Sequence, residues 1–202
     1  MNKVKRDELL DLGAYEQIRD RFRAAVIEEK KNRRFQVSDE LSIVFENHTT
    51  VLFQIQEMLR TERITRESAI EHEIDTYNEL VPGPSELSAT LFVEIADHDT
   101  RERRLVELAG LEGGFALEVG GKLFSARNET RGVLPDRTTA VHYLKFPLDA
   151  AGVAAAIAAG RDAGKSDAPA LRFRVRHPHL EVTAALPPGV VRALAEDLAE
   201  EE

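Results

Sequence analysis

The 202-residue chain is 43% hydrophobic and 31% charged, proportions that support a folded core and speak against disorder. Its 36 acidic and 27 basic residues leave a formal charge of -9, which repels phosphate and argues against a dedicated nucleic-acid binder. Cysteine is absent, so this chain supplies no disulfide, thiol nucleophile, thiolate zinc site or iron–sulfur ligand.

The N-terminal residues MNKVKRDELLDLGAYEQ contain no apolar signal-peptide core. No apolar run approaches the roughly 18 residues that span a bilayer. The expectation is a cytoplasmic protein with no membrane partner. Over residues 5–31, Leu9, Leu10, Ile18, Phe22, Ala25 and Val26 fall at helical spacing, and Gly13 marks a break between one or two amphipathic helices. The run Lys30, Lys31, Asn32, Arg33, Arg34 then closes the helix with cations suited to its macrodipole. A site for an anion or acidic partner on Arg33 and Arg34 is the sharper alternative.

Residues 41–46, LSIVFE, have strand character. Asn47 or Thr49 offers a cap for a helix to about Arg60, with Val51, Ile55, Met58 and Leu59 as its core stripe. Thr65 caps a second helix that ends before Pro82, and the tight TERIT link makes the two helices antiparallel. This pair carries Gln54, Gln56, Glu57, Arg60, Tyr77, Asn78 and Glu79 among its apolar residues. Buried polar groups must find partners. The set is therefore either an internal Arg–Glu network that holds helix register, or a cleft for a small polar ligand, an ion or a partner segment.

Beyond residues 82–84 the pattern changes. Leu87, Ala89, Leu91, Val93 and Ile95 alternate with Ser88, Thr90, Phe92 and Glu94, which predicts a strand. A helix follows over 99–109. FALEV and KLFSAR then flank Gly120-Gly121 as a hairpin. TAVHYLKFPL is a strand, DAAGVAAAIAAG a short helix, LRFRVRH and LEVTAAL two strands hinged at Pro178, and the chain closes on a helix. The fold class is α+β: N-terminal helices and a helix pair packed on a mostly antiparallel sheet. One domain is expected over 1–202, helical over 1–80 and sheet-rich over 85–202.

Catalytic patterns are weak. Residues 159–166, AGRDAGKS, match a relaxed phosphate-loop pattern, but an Ala-rich helix precedes them where a strand is required. Neither E-x-x-H nor H-E-x-x-H occurs among the six histidines. His142, inside a central strand, is read as a hydrogen-bonded structural residue or, in the sharper alternative, as a functional one. No G-x-S-x-G elbow is present. Glu46, Glu57, Glu79, Glu86 and Glu94 are free to converge for acid–base work, a weak signal in so acidic a chain.

The runs VFENHTTVLFQIQEMLRTERI, YNELVPGPSELSATLFVEI and AVHYLKF resemble a bacterial family of uncharacterised proteins, domain of unknown function 3501. The likeness spans nearly the whole chain, departing at His48, where the family leads one to expect arginine. It implies a genomic setting beside a rubrerythrin-like di-iron protein and a cysteine-rich iron–sulfur subunit, and hence an accessory role in a redox system. The leading expectation is a binding protein for such partners, using the surface around Arg33, Arg34, Gln54, Glu57, Arg60 and Glu79. The alternatives are a metal-dependent enzyme built on carboxylates and His142, and a structural subunit of a homo-oligomer.

Overall fold

The computed structural model describes residues 1–128, 134–165 and 171–200. Alternation along the strands generates its layers. In the strand Glu86–Val93 (β3), Leu87, Ala89, Leu91 and Val93 share one face while Ser88, Thr90 and Phe92 share the other. This strand pairs antiparallel with Leu41–Glu46 (β2) on one side and Val141–Pro147 (β7) on the other. Arg34–Ser38 (β1) extends the sheet beyond β2, and Arg127–Asn128 (β6) extends it beyond β7.

A second antiparallel sheet has the order Lys122–Ser125 (β5), Phe115–Val119 (β4), Arg172–His177 (β8), Leu180–Ala185 (β9). The β4–β5 turn places Gly120 and Gly121 at φ 58° and 79°, the positive angles that the glycine pair predicts. The apolar faces of the two sheets meet. Phe146 of β7 meets Phe173 of β8 edge-on at 6.2 Å, and Phe173 stacks on Phe115 of β4 at 6.1 Å. The class is α+β as expected, but the expected sheet divides into two that pack on each other.

Six α-helices accompany the two sheets among the described residues. Leu12–Lys31 (α1) begins at Asp11, whose carboxylate accepts the Ala14 N–H, and runs unbroken through Gly13. Its basic end is not wholly solvated, because Arg33 is buried and the next residues turn into β1. His48–Thr61 (α2) starts with Asn47 and Thr50 exchanging side-chain and backbone hydrogen bonds. Glu67–Asn78 (α3) follows after a short link and has Arg66, rather than Thr65, at its cap position. Val51, Ile55, Leu59, Ile70 and Ile74 of this pair, with Val4 and Leu9, form a second apolar cluster apart from the inter-sheet core.

Leu105 of His98–Glu107 (α4) joins the inter-sheet core, as do residues of Ala150–Asp162 (α5) and Pro188–Ala199 (α6). Helix α5 crosses α6 at Gly160, where a Cβ would lie 2.2 Å from that of Ala195, so only glycine permits the approach. Residues 159–162 of the phosphate-loop-like run form the end of α5, and Ser166 lies outside the described residues. No helix among the described residues is long and apolar enough to cross a membrane.

Candidate functional site

The polar face of the larger sheet is set by strand register. Glu46 of β2 lies opposite Ser88 of β3, which lies opposite Lys145 of β7, which pairs with Arg127 of β6. One step along the strands, Val44, Thr90 and Tyr143 form the next row. Helix α3 stands over this surface without sealing it. The gap is a cleft of about 550 Å³, lined by Glu73, Thr76 and Tyr77 of α3 and by Ser88, Tyr143 and Lys145 of the sheet. Arg127 and Glu79 also border it. Its size is that of a small-molecule site.

Glu46 is 3% exposed, and its carboxylate accepts hydrogen bonds from Thr50 Oγ1 (2.5 Å), Thr90 Oγ1 (2.6 Å) and Gln54 Nε2 (3.1 Å). All three donors are neutral. Three donors on one buried carboxylate meet its demand for hydrogen bonds. Burial and the Glu46 charge push the Tyr143 phenol up. Burial does the same for Tyr77, helped by Tyr143, Glu73 and Glu62. Both tyrosines are therefore neutral hydroxyls at the cleft across the physiological range. Lys145 Nζ is already engaged, donating to the Val81 carbonyl at 2.7 Å and to Glu86 Oε1 at 2.8 Å.

The residues singled out from the sequence do not gather at one place. Arg33 is buried, its guanidinium donating to both oxygens of Asp197 and to Glu29. Arg34 is exposed on β1, donating to Glu94 at 2.5 Å and to Ser42 at 3.2 Å. Glu57 accepts from Tyr15 Oη at 2.7 Å and from Arg19 Nε and Nη2 at 2.8 Å, and Arg60 Nε donates to Glu16 at 2.7 Å. Arg19 first, then Tyr15, holds the Glu57 carboxyl below the usual carboxylate range. These pairs join α2 to α1 rather than to α3. Gln56 and Asn78 clamp the backbone of the N-terminal segment at Leu10 and Val4, each donating to the carbonyl and accepting the N–H. Of the set, Tyr77 lines the cleft, Glu79 reaches its rim and Gln54 supports the Glu46 carboxylate behind it. His48 Nε2 lies 2.9 Å from Glu8, so a basic group at that position meets an acidic one.

His142 points the other way, into the space between the sheets. Its ring meets the Phe115 ring at 5.1 Å, with Nε2 3.3 Å from Thr138 Oγ1 and Nδ1 3.3 Å from Asn128 Nδ2. Thr138 Oγ1 in turn donates to Glu112 at 2.6 Å. With Thr138 donating onward, Nε2–H donates to its oxygen and Nδ1 accepts from Asn128, which defines a neutral tautomer. Burial pushes the imidazole down to about 4, against the pull of Glu112. Among the described residues no group of three or more His, Asp or Glu side chains is placed to hold a metal ion.

The His142 environment predicts acid sensitivity. In the unfolded chain the imidazole titrates near its usual ~6.5, so between there and about 4 the unfolded state binds the extra proton. Stability is then lost as pH falls through that window, by about 3 kcal/mol at its lower end. Urea unfolding at pH 7 and pH 4.5 is expected to show a smaller pH difference for His142→Asn than for the parent. Equal differences would show that His142 is not the group that titrates.

Tyr143, Lys145, Ser88, Thr90 and Arg127 were not among the residues singled out. Alternation in TAVHYLKFPL does put Tyr143 and Lys145 together, off the core face. What lies beside them is decided by strand order.

The family model described as protein of unknown function (DUF3501) matches residues 3–198. A crystal structure at 1.90 Å of a novel protein of unknown function from Burkholderia pseudomallei K96243 is similar in fold, with a TM-score of 0.86 at 35% identity. The match covers 98% of this chain and 100% of that one. No curated protein matches.

Proposed function

The chain belongs to the DUF3501 family, whose description states no activity, and we propose that it is an accessory binding protein that receives a small ligand in the cleft between α3 and the larger sheet. The observation that carries this reading is the composition of the cleft. Two of the chain's three tyrosines line it, beside a buried carboxylate whose donors are all neutral. Apolar walls with a few fixed polar groups are what small-ligand sites require.

The rubrerythrin-like and iron–sulfur partners implied by the family resemblance belong to this proposal as the system it serves. A chain without cysteine brings no thiolate ligand to such a system, and the contribution proposed for it is recognition. Mixing the purified proteins and measuring sedimentation tests that half, and no complex at micromolar concentration removes it.

The cleft is tested by titrating a fragment set into the ¹⁵N-labelled protein. Amide shifts are expected to cluster at Tyr77, Ser88 and Tyr143, and to vanish in Tyr143→Leu. Tyr143 is 38% exposed, so this variant leaves the core intact. Fragments that cluster away from the cleft, or a Tyr143→Leu variant that binds unchanged, would sink the reading.

A further inference from the structure

Resting on that cleft reading, we propose that the ligand is an organic cation with an apolar body, its charged nitrogen seated against Tyr77 and Tyr143. Three observations converge on this class. The first is the pair of phenol rings. An ammonium within about 6 Å of an aromatic face is attracted by the ring quadrupole, most strongly where water is excluded.

The second is the fixed charge around them. Glu46 is a buried carboxylate bonded only to hydroxyl and amide donors, and one of these donors, Thr90 on the intervening strand β3, is the residue paired with Tyr143. Glu73 lines the opposite wall beside Tyr77. Buried charge near an aromatic surface acts through a medium of low dielectric and is weakly screened. The third is that the nearest ammonium does not cancel this field. Lys145 is held by Glu86 and the Val81 carbonyl. Arg127 is exposed at the cleft edge, where water and salt screen it, and it is the feature that an anionic ligand would use instead.

The test compares three probes of one shape and different charge: benzylammonium, benzyl alcohol and benzoate, each titrated into the full ¹⁵N-labelled chain at millimolar concentration. Benzylammonium is expected to bind about tenfold tighter than benzyl alcohol, with benzoate weakest. Tyr143→Leu and Tyr77→Leu should each erase that preference, while Arg127→Gln should leave it intact. Glu46→Gln should reduce it. Should that variant fail to fold, the two tyrosine variants carry the test alone.

Benzoate binding best, with the preference lost in Arg127→Gln, would overturn the cation assignment while leaving the cleft a ligand site. Equal binding of all three at Tyr77 and Tyr143 would overturn it also, and mark the cleft as purely apolar. No shift at the cleft with any probe would remove both the assignment and the cleft reading.

Discussion

Replacing Arg33 with methionine is expected to destabilise the fold by about 3–5 kcal/mol, the cost of leaving a buried carboxylate without its cation. Arg33 Nη1 and Nη2 lie 2.6 and 2.8 Å from the two oxygens of Asp197, and Nε lies 2.5 Å from Glu29. Arg33 is 4% exposed and Asp197 9%. The fork-to-fork geometry makes both hydrogen bonds strong, and the low exposure makes their loss expensive. Glu29 also accepts from Asn47 Nδ2 at 2.8 Å, so one guanidinium joins the end of α1, the cap of α2 and the C-terminal helix α6. The double variant Arg33→Met/Asp197→Leu should recover most of the loss, because it removes the stranded charge along with its partner. Urea midpoints measure both. A single variant that loses less than about 1 kcal/mol while losing a partner protein would return Arg33 to the docking surface first expected of it.

Phe173→Ala should cost about 3–5 kcal/mol as well, by a different route. The ring is fully buried between the sheets, stacked on Phe115 and edge-on to Phe146. Phe115 continues the row to the His142 ring. Removing the middle of this row leaves a cavity that neither sheet can close without breaking strand pairing. Phe173→Leu, which retains most of the volume, should cost less than half as much. Losses below about 1.5 kcal/mol from both substitutions would show that the row repacks freely and that the two sheets are less tightly joined than their contacts imply.

The candidate site was half legible. Polar residues on the α2–α3 pair pointed to a network, and one exists, but its partners Tyr15, Arg19 and Glu16 lie on α1. Helical spacing shows that Glu57 and Arg60 share a neighbourhood. It does not show which helix faces them. His142 was marked by its position in a strand, and alternation around it predicts burial. Its hydrogen bonds to Thr138 and Asn128 depend on the loop before β7 and on β6, which a strand pattern does not place. Glu46 was one carboxylate among 36 until β2, β3 and α2 closed around it.

What this sequence determined by itself is what depends on near neighbours: the alternation of β3, a cap for α2 at Asn47 or Thr49, the Gly120-Gly121 hairpin and the helical stripes. Those features follow from side-chain period and backbone sterics within a few residues. The tertiary structure alone decided that the nine strands among the described residues form two sheets, that β1 exists, and that Arg33 meets Asp197. It also brought Glu46, Ser88, Lys145 and Arg127 into one row. Each of these joins segments far apart in the chain. Their pairing is selected by how apolar faces pack and buried polar groups find partners across the whole molecule, and no local period encodes that choice.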